Sequence, residues 1–197
     1  MSSDAEVYKP PVDKATADKI ELLKRMVICH ADLQLSLSAI TFLNEVDENE
    51  KYDYVELRRF KCYETAFVVA YGRAFTNSQG SRYKQLSLKK IGVTLSDKER
   101  TLHETIIAAR QQKFAHSDLD KAHIRIDMYL IESDDFRIPM HRIKWDEGLE
   151  FITGFMPYDI MNLTHKIMDA LHGATRSLAS ELEAFLPIYI KPSSTTG

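Results

Sequence analysis

Apolar residues recur every three to four positions over four long segments of this chain, a period that belongs to helices and not to strands. In the first segment, Ala15 to Val46, the residues Ile20, Leu23, Val27, Leu33, Leu37, Ile40 and Leu43 form one stripe, with Lys19 and Glu21 between its members. The second, Val55 to Phe75, is apolar on all sides from Ala66 to Tyr71, which predicts a central position. The third carries a start signal: Ser96 followed by Glu99 is a capping box, so a helix should begin near Asp97 and run toward Phe114 with Leu102, Ile106 and Ala109 on its inner stripe. The fourth, Tyr158 to Phe185, places Ile160, Leu163, Ile167, Leu171, Leu178 and Leu182 on one face.

The period changes between the third and fourth segments. His123 to Leu130 and Phe136 to Trp145 are rich in Ile, Tyr and Phe with partial alternation, and Glu132 to Asp135 is turn-like, which predicts a β-hairpin at about 122–146. Pro139 points to an edge position for its second strand. Polar breaks at Asp47 to Asp53 and Asn77 to Ser81 separate the first three helices, and no internal repeat marks a second domain. The expected fold is mainly α: an antiparallel four-helix bundle with an inserted β-hairpin between the third and fourth helices. It forms a single domain over 14–190, with flexible tails at 1–13 and 191–197.

With 197 residues, of which 44% are hydrophobic and 28% charged, the chain is long enough to bury a proper core. A net charge of −3 argues against a protein that coats polyanions non-specifically, although a local basic site remains compatible with it. Cys29 and Cys62 fall in apolar helical stretches, and the N-terminal residues lack the apolar core of a signal peptide. Both thiols are therefore expected reduced and buried in a cytoplasmic protein. No uninterrupted apolar run reaches the length that spans a bilayer, so no membrane association is expected.

Chemistry concentrates in the segment Ala109 to Asp118, where the third helix should end. Arg110 is a permanent cation that can fork onto a phosphate, and His116 can exchange a proton near neutral pH. Six residues at about 100° each put the two roughly 120° apart around an unbroken helix, so they converge only if the helix ends near Ala115, if Arg110 reaches, or if a second subunit contributes. A purely structural role is the competing expectation: Arg110 and Lys113 would complement the helix dipole and His116 would cap the last carbonyls. Arg73 is a candidate phosphate ligand, but at the end of an apolar helix it is expected to pair with a carboxylate or cap carbonyls. His103 lies seven residues before Arg110 on the same face, where an ordinary polar position is the simpler expectation. His103, His116, Asp118 and His123 match no zinc spacing, Ser117 with His116 and Asp118 has no oxyanion-hole context, and no Gly-rich phosphate loop is present.

Arg110, five intervening residues and His116 match the Arg-x(4 to 6)-His signature of the HEPN superfamily, with Gln111 as the polar residue after the arginine. The string Lys113-Phe114-Ala115-His116-Ser117-Asp118 resembles the corresponding segment of abortive-infection HEPN proteins, and Ala70-Tyr71-Gly72-Arg73-Ala74-Phe75-Thr76 is similar to the end of their second helix. The resemblance implies a metal-independent endoribonuclease without a cofactor, acting as a homodimer in toxin–antitoxin or antiviral defence and controlled by a protein antitoxin or regulator. Arg110 and His116 of both subunits would meet in one cleft on RNA, with Gln111, Lys113, Arg73, His103, Ser117 and Asp118 in supporting places. Asp118 stands where some HEPN toxins carry a tyrosine that their antitoxin modifies, which speaks against that route of control. The alternative is a catalytically silent HEPN-like scaffold that dimerises or binds a partner through its helices and hairpin. A small-ligand or nucleotide module is a weaker third reading.

Overall fold

The structure is a computed structural model that describes residues 12–47, 49–76, 85–114, 125–133, 136–144, 148–152 and 156–186. The chain is mainly helical, with four α-helices and a two-stranded antiparallel sheet. Helix α1 (Lys14–Leu43) starts where the Asp13 side chain accepts the Thr16 amide at 2.7 Å. Helix α2 (Tyr54–Phe75) starts from a capping box in which Asp53 accepts the Val55 and Glu56 amides and Glu56 reaches back to the Asp53 amide. A 3-10 turn (Leu88–Ile91) ends on Gly92, whose φ of 75° is left-handed. Helix α3 (Asp97–Ala109) begins at the expected Ser96–Glu99 box and continues as a π-turn over Arg110–Phe114.

Strands β1 (Arg125–Glu132) and β2 (Arg137–Lys144) pair antiparallel with Leu130 opposite Pro139. The expected hairpin is present, but its strands begin two residues after His123 and one after Phe136, while His123 and Trp145 lie outside the described residues. Helix α4 (Met156–Glu181) starts earlier than expected and stops before Phe185, because Glu183–Phe185 tightens into a 3-10 turn.

Helix α1 packs on α2 and α4, and α3 packs on α2 with a lighter contact to α4. Residues 66–71 of α2 are buried or half-buried throughout, as their all-round apolar character predicts. Leu33, Ile40, Phe67, Tyr71, Ile106, Ile160, Ile167 and Leu171 belong to the buried core. Two expectations are corrected. Val27 is 54% exposed, because α1 turns Leu23, Met26, Cys29 and Leu33 inward and leaves Val27, Ile28, Leu35 and Phe42 outside. Cys62 is exposed while Cys29 is buried, and the apolar surroundings push the Cys29 thiol up to about 11. By length and composition α1 would be long enough to cross a membrane, with a mean hydropathy of 1.5 over its best window, of which 39% is buried inside the protein.

Polar ties fix the element ends. Lys166 of α4 donates to both oxygens of Glu99 at 2.9 and 2.8 Å, and with the Ser96 amide it holds that carboxyl down at about 2. Glu64 is fully buried in α2, where it accepts the Glu150 and Phe151 amides and the Lys61 ammonium. The segment that returns from the hairpin to α4 is therefore anchored on α2. Among the described residues the hairpin contributes none to the core, and Ile126 and Met128 are 65% and 69% exposed.

Candidate functional site at the crossing of α2 and α3

Arg110 stands where α3 changes from an α-helix to a π-turn. Its amide bonds both the Ile106 and Ile107 carbonyls, and from there the i→i+5 pattern re-aims the side chains that follow. Its aliphatic stem lies against α2 at Gly72. A Cβ on residue 72 would stand 2.6 Å from Arg110 Cγ and 3.0 Å from Cβ and Cδ, so only glycine admits this approach. Arg110 Nε is buried without a hydrogen-bond partner, and among the described residues no carboxylate or carbonyl holds its terminal nitrogens. Among the described residues this guanidinium therefore caps no helix carbonyl.

Two turns earlier on α3, His103 packs edge-on against Phe75, with ring centroids 4.7 Å apart, and against Tyr71 at 5.7 Å. This corrects the expectation of an ordinary polar-face position. His103 Nδ1 lies 2.9 Å from the Tyr71 hydroxyl, and Tyr71 is fully buried. Burial raises the Tyr71 phenol well above its ordinary range and lowers the His103 imidazole, against a smaller upward pull from Glu104. The phenol stays protonated and among the described residues has this one hydrogen-bond partner, so its hydrogen goes to Nδ1 and the neutral imidazole carries its own hydrogen on Nε2.

The α2 end that carries Tyr71, Gly72 and Phe75 is fixed from its other side by α1. The buried Arg25 donates to the Arg73 and Ala74 carbonyls at 2.8 and 3.4 Å and so caps the last turn of α2. Cys29 Sγ lies 3.7 Å from the Ala74 carbonyl. Arg73 pairs with Asp32 at 2.7 Å, which is the carboxylate pairing expected for it and removes it from the Arg110 side. A rigid helix end thus supports the surface on which Arg110 rests.

The two sequence segments that carry the family resemblance meet at Gly72 and Arg110. The sequence shows Tyr71, Gly72 and Phe75 only as part of the Ala70–Thr76 string, not as site residues in their own right. Their signal was a small residue between aromatic positions four apart on a helix face, which marks close packing without naming the partner. Gln111 and Gln112 are exposed on the π-turn, while the Lys113 side chain and all of His116, Ser117 and Asp118 lie outside the described residues. Among the described residues no group of three His, Cys, Asp or Glu side chains could hold a metal ion. Scans of family models, curated proteins and solved structures returned no significant match to this chain.

Proposed function

We propose that the chain is a HEPN-like endoribonuclease, an antiparallel helical bundle that cleaves RNA without a metal as a homodimer. The observation that carries this reading is the setting of Arg110. Its stem is clamped on Gly72, its Nε is buried without a partner, and no described anion neutralises it. An unpaired, positioned guanidinium is a ready ligand for a phosphodiester.

In the proposed reaction one His116 removes the proton of the RNA 2′-hydroxyl, and the resulting oxygen attacks the adjacent phosphorus. Arg110 stabilises the charge that builds on the non-bridging oxygens. As the bond from phosphorus to the 5′-oxygen breaks, the partner subunit's His116 gives that oxygen a proton, which leaves a cyclic phosphate and a 5′-hydroxyl. DNA lacks the attacking hydroxyl and should survive. Purified protein should cleave single-stranded RNA in EDTA and leave cyclic ends, and Arg110→Ala and His116→Ala should each reduce the rate at least about a hundredfold. Undiminished cleavage by either variant would remove that residue from the mechanism.

A second reading, a silent scaffold that self-associates, is favoured by the hairpin. The Ser133 amide bonds the Phe136 carbonyl at 2.9 Å, so in the observed register the odd-numbered residues of β1 face the ladder. Ile126, Met128, Leu130 and Glu132 then turn their amides and carbonyls to the outer edge. On β2 the matching edge is blunted by Pro139. Isolated two-stranded hairpins are marginal, and β1 pairing with a second copy of β1 would complete a four-stranded sheet. Met128→Pro removes an outward amide; a dimeric wild type and a monomeric variant in light scattering support this reading, and two dimers refute it.

A further inference from the structure

A cavity of about 640 Å³ opens between the Leu88–Leu95 turn and α3. Its volume falls within the range of small-molecule sites. Leu88, Val93 and Leu95 supply an apolar wall, and Lys89, Arg100 and His103 supply the polar side. Lys89 and Arg100 are exposed cations with no described ion pair, and Glu104 is the one carboxylate on the lining. His103 lines both this cavity and the α2–α3 crossing, because its Nδ1 is held by Tyr71 while its ring edge reaches the lining.

We propose that this cavity seats the nucleotide next to the scissile phosphate: its base lies on Leu88, Val93 and Leu95, its phosphate meets Lys89 and Arg100, and His103 Nε2 donates to an acceptor on the base. The assignment rests on the reading of Arg110 as the ligand of the scissile phosphate. His103 and Arg110 are seven residues apart on one helix face, which separates them by about 10 Å along the axis. Arg100, which meets the phosphate, stands ten residues or about 15 Å from Arg110 along the axis, a span that the reach of both arginine side chains and extended single-stranded RNA cover together. The position of the cations fits the same path, since Arg100 lies one turn before His103, on the side away from Arg110. A neutral imidazole suits the inner position, because it donates one directed hydrogen bond and adds no charge beside an apolar wall. The cavity thus selects a nucleotide by shape and one hydrogen bond, while Arg110 acts on any phosphodiester. His103 contacts the substrate here and takes no part in the bond changes.

The test uses the full chain and two fluorescein-labelled hexauridine probes, one ordinary RNA and one 2′-O-methylated so that it binds without being cleaved. Thr94→Trp fills the cavity mouth from an exposed position, Lys89→Glu with Arg100→Glu reverses its charge, and His103→Gln removes the imidazole. Each of the first two variants should weaken anisotropy-detected binding of the methylated probe about tenfold, and raise KM for the cleavable probe with kcat within twofold. His103→Gln should raise KM by a smaller factor and leave kcat unchanged. Unaltered binding by both Thr94→Trp and the double charge reversal overturns the subsite even if RNA is cleaved. Weakened binding in a protein that cleaves nothing retains the subsite and refutes the ribonuclease reading.

Discussion

Gly72 is the residue through which the candidate site can be tested without touching its chemistry. A methyl group there must displace the Arg110 stem near its root, and overpacking of that kind costs about 1–3 kcal/mol. Removing a glycine from a helix returns about 1 kcal/mol, so Gly72→Ala should lose no more than about 2 kcal/mol in urea unfolding. RNA cleavage should fall about tenfold or more, since an ångström-scale misplacement of a positioned group is enough for that loss. Wild-type cleavage in Gly72→Ala would show that the clamp does not matter. His103 gives a second residue-scale prediction. Burial holds its pKa below the ordinary 6.5, so the unfolded chain takes up the proton first as pH falls. The stability that depends on a neutral His103 is complete above about pH 6.5 and is lost as pH drops toward the lowered native value. Urea unfolding at pH 7.5 and 5.5 should show a steeper loss in the wild type than in His103→Gln, and equal slopes would contradict it. Arg110 was legible in the sequence because a spacing pattern points at it. Its seat was not, because Gly72 is thirty-eight positions earlier and only tertiary packing brings it there.

At the scale of elements, the helices were legible wherever period and caps agreed. Ser96 and Glu99 marked the start of α3 near Asp97, whereas the equivalent box of Asp53 with Glu56 at α2 emerged only from the structure. Val27 misled because α1 is apolar on more than one side, and a stripe drawn through such a helix has no unique phase. The π-turn at Arg110 has no sequence signature, and the segment it opens lies against α2. Glu64 was equally hidden, because nothing in the sequence names a partner for a charge at that position. That partner set is the Glu150 and Phe151 amides and Lys61, so Glu64→Ala would strand two amides and take one of its acceptors from the Lys61 ammonium, which keeps the Gly148 carbonyl. A loss of about 3–5 kcal/mol is expected in urea unfolding, with Glu64→Gln costing less because one acceptor oxygen survives. A loss below about 1 kcal/mol for Glu64→Ala would mean that the segment leading into α4 finds other anchors.

At the scale of the whole molecule, the chain divides energetically where the sequence changes period. Among the described residues, the buried core comes from helices, their turns and the Phe151 region, whereas none of it comes from the hairpin. The hairpin's exposed Ile126, Met128, Leu130, Ile131, Ile138 and Met140 therefore add little to the folding free energy of a single chain. Their burial, if it occurs, belongs to association. Glu64 supports this division, because it fastens the chain to α2 at Glu150 and Phe151, after the hairpin has ended, so α4 can dock without it. Replacing 125–144 by a short Gly-Ser linker should leave the helical core folded, with Tm within about 4 °C of the wild type at a concentration where both are monomeric. The same replacement should abolish self-association through β1 while leaving the Arg110 site on α2 and α3 intact. A fall in Tm of about 10 °C or more would mean that the hairpin is part of the cooperative unit and that its apolar faces are covered within the chain. An unchanged Tm with an unchanged dimer would move the association surface to the helices, where the exposed Val27, Ile28, Leu35 and Phe42 of α1 are the residues to substitute next.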